Sequence, residues 1–330
     1  MEISDFRKRF VYLWKDNKKV AINYFFYALR RFLFLESYKE HNKLLKHIEV
    51  FSNLQRSKKE IIFNIVYNEC NQSKIILPIS DRGFSLDLIG NGIREPTEVD
   101  LMIRELKPNM NIVDIGANLG YYVMLEALIT NGKIYAIEPN PEAINYLKKS
   151  IALNKYKNIK VMNIGVGERK GILPFYISKN WNWSRFTELL NGSKEDIVKI
   201  KKIEVKSLDN LFENKKIDLI RMDIEGYEKK VIESMNKILK KNPNIIIFME
   251  FHANMFLTKE KKEIVDWIIS NGFEIKYLSY SDKFKKMKVY SNVNPKKLID
   301  LNSDYCLVLK KKDTINTENY SDFRNKVERM

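Results

Sequence analysis

IVDIGANLGYYVMLEALITNGKIYAIEPNPEAINYLKKSIALNKYKNIKVMNIGVG, residues 112 to 167, is the stretch on which the reading of this chain turns. Ile112 to Ile115 form a short apolar strand and Gly116-Ala117-Asn118-Leu119-Gly120 a tight turn. An apolar helix then runs on to Asn131-Gly132, residues that suit a helix stop. Lys133 to Ile137 make a second strand that ends in an acid. Glu138 stands 24 residues after Asp114, so a right-handed strand-helix-strand crossover returns its carboxylate beside the first loop, where it can accept both hydroxyls of a ribose. Asn140 and Pro141 read as the cap and first residue of the next helix. Asp114, Gly116, Asn118, Gly120, Glu138 and Asn140 are therefore the candidate cofactor-binding residues.

Two cofactors use such a half-site, and the loop discriminates between them. A pyrophosphate needs bare backbone at G-x-G-x-x-G, because a side chain at the second glycine obstructs the phosphates. Here that position is Asn118 and the last is Tyr121. A dinucleotide is disfavoured. S-adenosylmethionine has no phosphate, and its methionine end carries an amino and a carboxylate group, so it tolerates an Asn in the loop.

GIREPTEVDLMIREL, VDIGANLGYY, AIEPNPEAINYLKKSIALN, VKSLDNLF, RMDIEGYE and IFMEFH follow one another over residues 75 to 255 or so, about half the chain. In that order they resemble the FkbM-type methyltransferases. The resemblance implies an α/β, Rossmann-like class I methyltransferase sheet of about seven strands, S-adenosylmethionine as donor, and O-methylation of a sugar or other small-molecule hydroxyl. Where the family usually has Lys before the Met/Ile-Asp-x-Glu-Gly block, this chain has Arg221, which keeps the charge. Acceptors in the family vary widely, so the resemblance bears on the reaction more than on the substrate.

The sequence divides into an N-terminal, mainly helical extension (1–95), the methyltransferase domain (96–312) and a polar tail (313–330). Within the extension, residues 43 to 70 read as an amphipathic helix, and Ile75–Ile79 with Phe84–Ile89 as a hairpin around Asp81-Arg82-Gly83. Tyr24 to Leu35, rich in aromatics and interrupted by Arg30 and Arg31, suits packing on the catalytic domain or a second subunit. A peripheral contact with a membrane interface is the alternative. No apolar run is long enough to span a bilayer and no leader follows the charged start, so a cytoplasmic chain is expected, with the inner membrane surface as a variant of that reading. Cys70 and Cys306 are too few and too far apart for a disulfide framework or a zinc site. The oligomeric state stays open.

Lys and Arg number 58 against 42 Asp and Glu, a net charge of +16. That excess invites an anionic partner such as RNA, yet it lies in scattered Lys pairs rather than one stripe, as solvated faces do. The Asn-Pro-Pro-Tyr type of motif that holds a flipped base is absent. A small-molecule or glycan acceptor is expected, with an RNA methyltransferase or a non-catalytic donor-binding protein as alternatives.

The chemistry should lie at the ends of the next two strands. Ile217 to Met222 deliver Asp223 and Glu225, and Ile245 to Phe251 deliver Glu250 and His252. A protonated hydroxyl is a poor nucleophile, so in-line positioning and a nearby base are needed. Asp223, Glu225 and His252 are the catalytic candidates, His252 because an imidazole is half deprotonated near neutral pH. Glu250 and Trp183 are candidates for substrate binding, Trp183 as an aromatic on the irregular Ser178–Asp196 connection. Carboxylates here would suit Mg²⁺, but no full ligand set is evident in the sequence, so no metal is expected. The final strands, Phe273–Leu278 and Tyr305–Leu309, are expected to be joined by a basic loop from Lys283 to Lys297.

Overall fold

The computed structural model describes residues 60–67, 72–78, 80–81, 83–91, 93–186, 197–281 and 287–312. The aromatic segment at Tyr24–Leu35, most of the proposed 43–70 helix and the tail from 313 lie outside these residues.

In chain order, strands β1 (Glu60–Val66) and β2 (Gln72–Pro78) precede helices α1 (Phe84–Asn91) and α2 (Pro96–Glu105). The half-site follows as β3 (Ile112–Ile115), α3 (Tyr121–Ile129), β4 (Ile134–Ile137), α4 (Pro141–Asn154) and β5 (Ile159–Met162). A small mixed sheet comes next, β6 (Gly165–Val166), β7 (Gly171–Ser178) and β8 (Ile197–Lys206), in which β8 pairs in parallel with β6 and antiparallel with β7. The second half contains α5 (Leu208–Phe212), β9 (Leu219–Met222), α6 (Glu228–Ile232), α7 (Asn236–Lys241), β10 (Ile246–His252) and α8 (Thr258–Ser270). It closes with β11 (Phe273–Ser281), β12 (Met287–Val293) and β13 (Asp304–Lys311).

Eight strands form one sheet in the order β12-β11-β13-β10-β9-β3-β4-β5. β5, β4, β3, β9 and β10 run parallel, and β13 inserts antiparallel between β10 and β11. This is the Rossmann-like sheet that the family resemblance implies, with β12 as an added edge. All four residues of β3 and of β9 are buried, as expected for central parallel strands covered on both faces. One face packs on α2, α3, α4 and the β1–β2 hairpin, the other on α5 to α8.

Register places the chemistry. Ile115 of β3, Ile137 of β4, Met222 of β9 and Met249 of β10 lie level across the sheet. The loops carrying Gly116, Glu138 and Asp223 consequently leave from one carboxyl edge, where ligands of open α/β sheets bind. β10 runs three residues further, to His252, which carries Glu250 and His252 past that edge.

Three local expectations are corrected. Residues 60–66, read as helix, are a strand: the two buried positions, Ile61 and Ile65, are four apart and satisfy both periods, and β1 pairs with β2 from Glu60↔Pro78 to Val66↔Gln72. Phe84 to Ile89, read as the second arm of a hairpin, are helical. Asp81 is a buried cap, its carboxylate accepting the N–H groups of Gly83 (3.2 Å) and Ser85 (2.7 Å). Thirdly, the proposed basic loop contains a strand, since Met287–Val293 pairs with β11 despite its lysine. Far from standing apart, the hairpin shares a core with α3 and α4, and Asn154 and Ser150 of α4 bond the backbone of Lys74 (2.8 Å) and Ile76 (2.9 Å). Among the described residues no helix is long and apolar enough to cross a membrane.

Candidate functional site

The loop after β3 is held by its own backbone geometry. Gly116 has φ 82°, and a Cβ there would stand 2.0 Å from the carbonyl oxygen of Asp223, so only glycine lets the two loops meet. Gly120 has φ 94° and faces Leu147 of α4 just as closely, at 2.4 Å. Between them Leu119 is fully buried, which contributes roughly 1.5–3 kcal/mol to anchoring the turn.

Glu138 organises this side. One carboxylate oxygen accepts the Asn118 N–H (2.8 Å), the other the Asn140 N–H (2.7 Å). Burial pushes its pKa up to about 7, the two N–H donors offsetting part of the effect. Asn140 caps α4 by accepting the Glu142 N–H at 3.0 Å, as its sequence position predicts. Buried Asn118 Oδ1, in a residue with φ 48°, has no hydrogen-bond partner among the described residues.

Asp114 lies buried alongside and does not line the cleft. It accepts from Arg221 Nη1 at 3.0 Å, while Nη2 of the same guanidinium reaches Asp223 Oδ2 at 3.1 Å. The guanidinium lies 3.8 Å from the centre of the Tyr122 ring. Cross-strand register makes Asp114 and Arg221 neighbours, so the residue that departs from the family's usual Lys fastens the cofactor-side strand to the start of the catalytic loop. Burial pushes the Asp223 carboxyl up, but Arg221, His252 and Arg94 outweigh this and hold it below the usual carboxylate range.

Glu225 takes the left-handed conformation (φ 53°), and burial pushes it up to about 8 despite the nearby imidazole. His252 is 3% exposed. Its Nδ1 lies 2.8 Å from Oε1 of the fully buried Glu228, and its Nε2 lies 3.6 Å from Glu225 Oε2 and 3.8 Å from Glu250 Oε1. Burial favours the neutral ring, but Glu228, Glu250 and Glu225 together raise its pKa well above 6.5. The fold thus joins Asp223, Glu225 and His252 in one group, each offering a ligand-type atom within 4.8 Å of the others.

Both sides open on one cleft of about 660 Å³, a figure that includes the solvent of its open mouth. Gly116, Asn118 and Glu138 line one part and Asp223 and Glu225 another, with Phe84, Trp181 and Phe186 among the apolar walls. Trp183 does not line the cleft and is 46% exposed, whereas Trp181 and Asn182, on the same short turn, do line it. Four residues escaped the sequence reading. Arg94 and Glu95, paired at 2.5 Å, line the cleft from the start of α2; Arg221 bridges two acids; Glu228 orients the histidine. All four stand inside the family-like blocks, which was the available signal.

The residues present fit a nucleoside donor: a carboxylate between two loop N–H groups, an unpartnered Asn118 oxygen, and glycines where side chains would collide. The methyltransferase FkbM domain model matches residues 114–275. The chain is 36% identical over 87 residues to a protein-L-isoaspartate O-methyltransferase of Pyrococcus horikoshii and 31% identical over 87 residues to that of Pyrococcus abyssi. Each alignment covers 26% of this chain and only 39% of the relative's length. Among solved structures, the precorrin-6y C5,15-methyltransferase of Geobacter metallireducens is 12% identical with a TM-score of 0.36, covering 66% of this chain and 90% of that one. A SAM-dependent methyltransferase of Aquifex aeolicus is 13% identical with a TM-score of 0.35, covering 64% and 88%. Residues 114–275, just under half of the chain, match the FkbM methyltransferase domain, and the cofactor of that domain is S-adenosylmethionine.

Proposed function

We propose that the protein transfers the methyl group of S-adenosylmethionine to a hydroxyl of a saccharide, glycan or related polyhydroxylated small molecule. The observation that carries this is the shared cleft, lined by a ribose-type carboxylate, Glu138, and by Asp223 and Glu225, with the buried His252 grouped behind those two acids. Gly116, Asn118 and Glu138 would hold the donor, whose sulfonium supplies an activated methyl. The chain's own groups take the acceptor. Aromatic faces at Phe84, Trp181 and Phe186 suit a sugar ring, and Asp223 and Glu225 orient its hydroxyl. In the transfer the hydroxyl oxygen bonds the methyl carbon, the S–C pair stays on sulfur, and the hydroxyl proton leaves through the carboxylate side. Asp114 supports this arrangement through Arg221, and Glu250 lies at its edge.

The net charge of +16 favours RNA as a second reading. Against it, the three guanidiniums lining the cleft are already engaged, Arg94 by Asp87 and Glu95, Arg221 by Asp114 and Asp223, and Arg185 by the Trp183 carbonyl oxygen at 2.9 Å. Little is left there for a polyanion. We place the enzyme in the cytoplasm, with the N-terminal extension as the part able to touch a membrane surface. Incubating the protein with labelled donor and either a glycan and sugar-nucleotide extract or total RNA tests the choice. Label should enter the glycan fraction and fall by about 10²–10⁴ in Asp223→Asn, the range associated with positioned acid–base groups. Asp223-dependent label in RNA alone would reverse the assignment.

A further inference from the structure

The geometry points to a divalent-cation site on Asp223, Glu225 and His252, facing the cleft from its acceptor side. This rests on the proposed hydroxyl transfer and says how the hydroxyl is activated.

The first observation is the ligand set. One oxygen or nitrogen of each residue lies within 4.8 Å of the others, and Asp223 and Glu225 line the cleft. Asp223 accepts from Arg221 through Oδ2 at 3.1 Å and shares a hydrogen bond with Glu250, so its carboxylate is held in place at the edge of the cleft.

The second observation is the histidine itself. It is almost fully buried, yet its Nε2 makes no hydrogen bond, because the nearest carboxylate oxygens are 3.6 and 3.8 Å away. The 3.6 Å separation from Glu225 suits ligands sharing an ion, since atoms about 2.1 Å from one cation stand roughly 3.0–4.2 Å apart. On the other side of the ring, Nδ1 faces the buried Glu228 at 2.8 Å, and Glu228 is steadied in turn by the Gly226 N–H at 3.2 Å. A carboxylate behind a histidine in this way fixes the ring with Nε2 toward the metal and raises its basicity as a ligand.

Charge adds a third reason. Asp223, Glu225, Glu228 and Glu250 surround one imidazole, and Arg221 is divided between Asp223 and Asp114. Two oxygens with one imidazole nitrogen favour Mn²⁺, Fe²⁺ or Zn²⁺ over Mg²⁺ or Ca²⁺, which prefer all-oxygen sites. Open coordination positions directed to the cleft would take the acceptor hydroxyl and lower its pKa, its proton passing to solvent as the oxygen bonds the methyl carbon.

The test uses the full chain, stripped with a chelator and titrated with Mn²⁺ while the free ion is followed by electron paramagnetic resonance. One saturable site per chain is expected, displaced by Zn²⁺. Asp223→Asn and His252→Gln should each weaken Mn²⁺ at least about tenfold, and Glu228→Gln by about 10–100-fold, as loss of a supporting carboxylate does. S-adenosylmethionine binding, measured by calorimetry on each variant, shows that the fold is intact. No saturable Mn²⁺ or Zn²⁺ in the wild type, or equal affinity in Asp223→Asn, overturns the site and leaves an imidazolium to balance the acids. The two readings separate cleanly: transfer to hydroxyls that persists in chelator with no ion bound removes the cation and keeps the reaction, whereas a saturable Mn²⁺ site with no labelled hydroxyl does the reverse.

Discussion

The two sides of the cleft are built on different physics. On the donor side, Gly116 to Asn140, a single carboxylate is satisfied by two backbone N–H groups and the turn is clamped by a buried leucine. Its parts lie within a short piece of chain, and its conformation is dictated by glycines and caps. On the acceptor side Asp223, Glu225, Glu228, Glu250 and His252 come from two strand ends and the loop and helix after β9, and their charges are shared among one imidazole and one bridging arginine. The comparison teaches that the first side is a backbone device tolerant of little change in shape, while the second is a charge device tolerant of little change in charge.

Arg221, which belongs to both, gives the largest expected effect. Arg221→Ala should cost about 3–5 kcal/mol of stability in urea unfolding, because Asp114 is left buried without its counter-ion. Arg221→Lys restores the family's usual residue and the charge but not the two-armed bridge to Asp114 and Asp223, so it should fall between wild type and Ala. An Ala variant as stable as wild type would mean that the two sides are not coupled through this residue.

Next in size is the donor side alone. Glu138→Ala should weaken S-adenosylmethionine binding by about 1–3 kcal/mol in calorimetry, the cost of stranding polar groups, with turnover at saturating donor much less affected. A loss confined to turnover would move Glu138 to the chemistry.

A pH titration sharpens the contrast. The folded Glu138 pKa, about 7, lies above its ordinary 4.5, so the protonated acid is the favoured folded form. Its contribution to stability is present below about 4.5 and is lost as pH rises toward 7. Donor affinity should move the other way, rising from pH 6 to 8 by up to about tenfold as the carboxylate appears. The same titration on Glu138→Gln should be flat; a slope that survives there would assign the pH dependence to another group.

The smallest effects concern the turn at 181–183. Trp181→Ala should raise acceptor KM by about 2–12-fold, the worth of an aromatic contact of roughly 0.5–1.5 kcal/mol, because Trp181 lines the cleft. Trp183→Ala should stay within about 0.5 kcal/mol, as exposed positions do. The opposite order would return substrate contact to Trp183.

From sequence alone the local conformation of the segments after β3 and β4 could be read. Period, glycine spacing, the acid after β4 and the Asn-Pro cap are local signals, and backbone sterics with short-range hydrogen bonds enforce them whatever the rest of the chain does. The central strands followed for the same reason: buried parallel strands are continuous apolar runs. Where two local readings were compatible, tertiary context chose. Ile61 and Ile65 suit either period until β2 supplies a hydrogen-bonding partner, and Asp81 suits a turn or a cap until α1 follows it. Asp223, Glu225, Glu250 and His252 were each visible, but their mutual geometry was not. Only the register of β9 and β10, and the three residues by which β10 outruns its neighbours, set one histidine among four carboxyls. Arg221 and Glu228 show the limit most plainly: a guanidinium between two strands and a buried acid behind a ring act through residues distant in sequence, and such long-range pairings exist only once the sheet has formed.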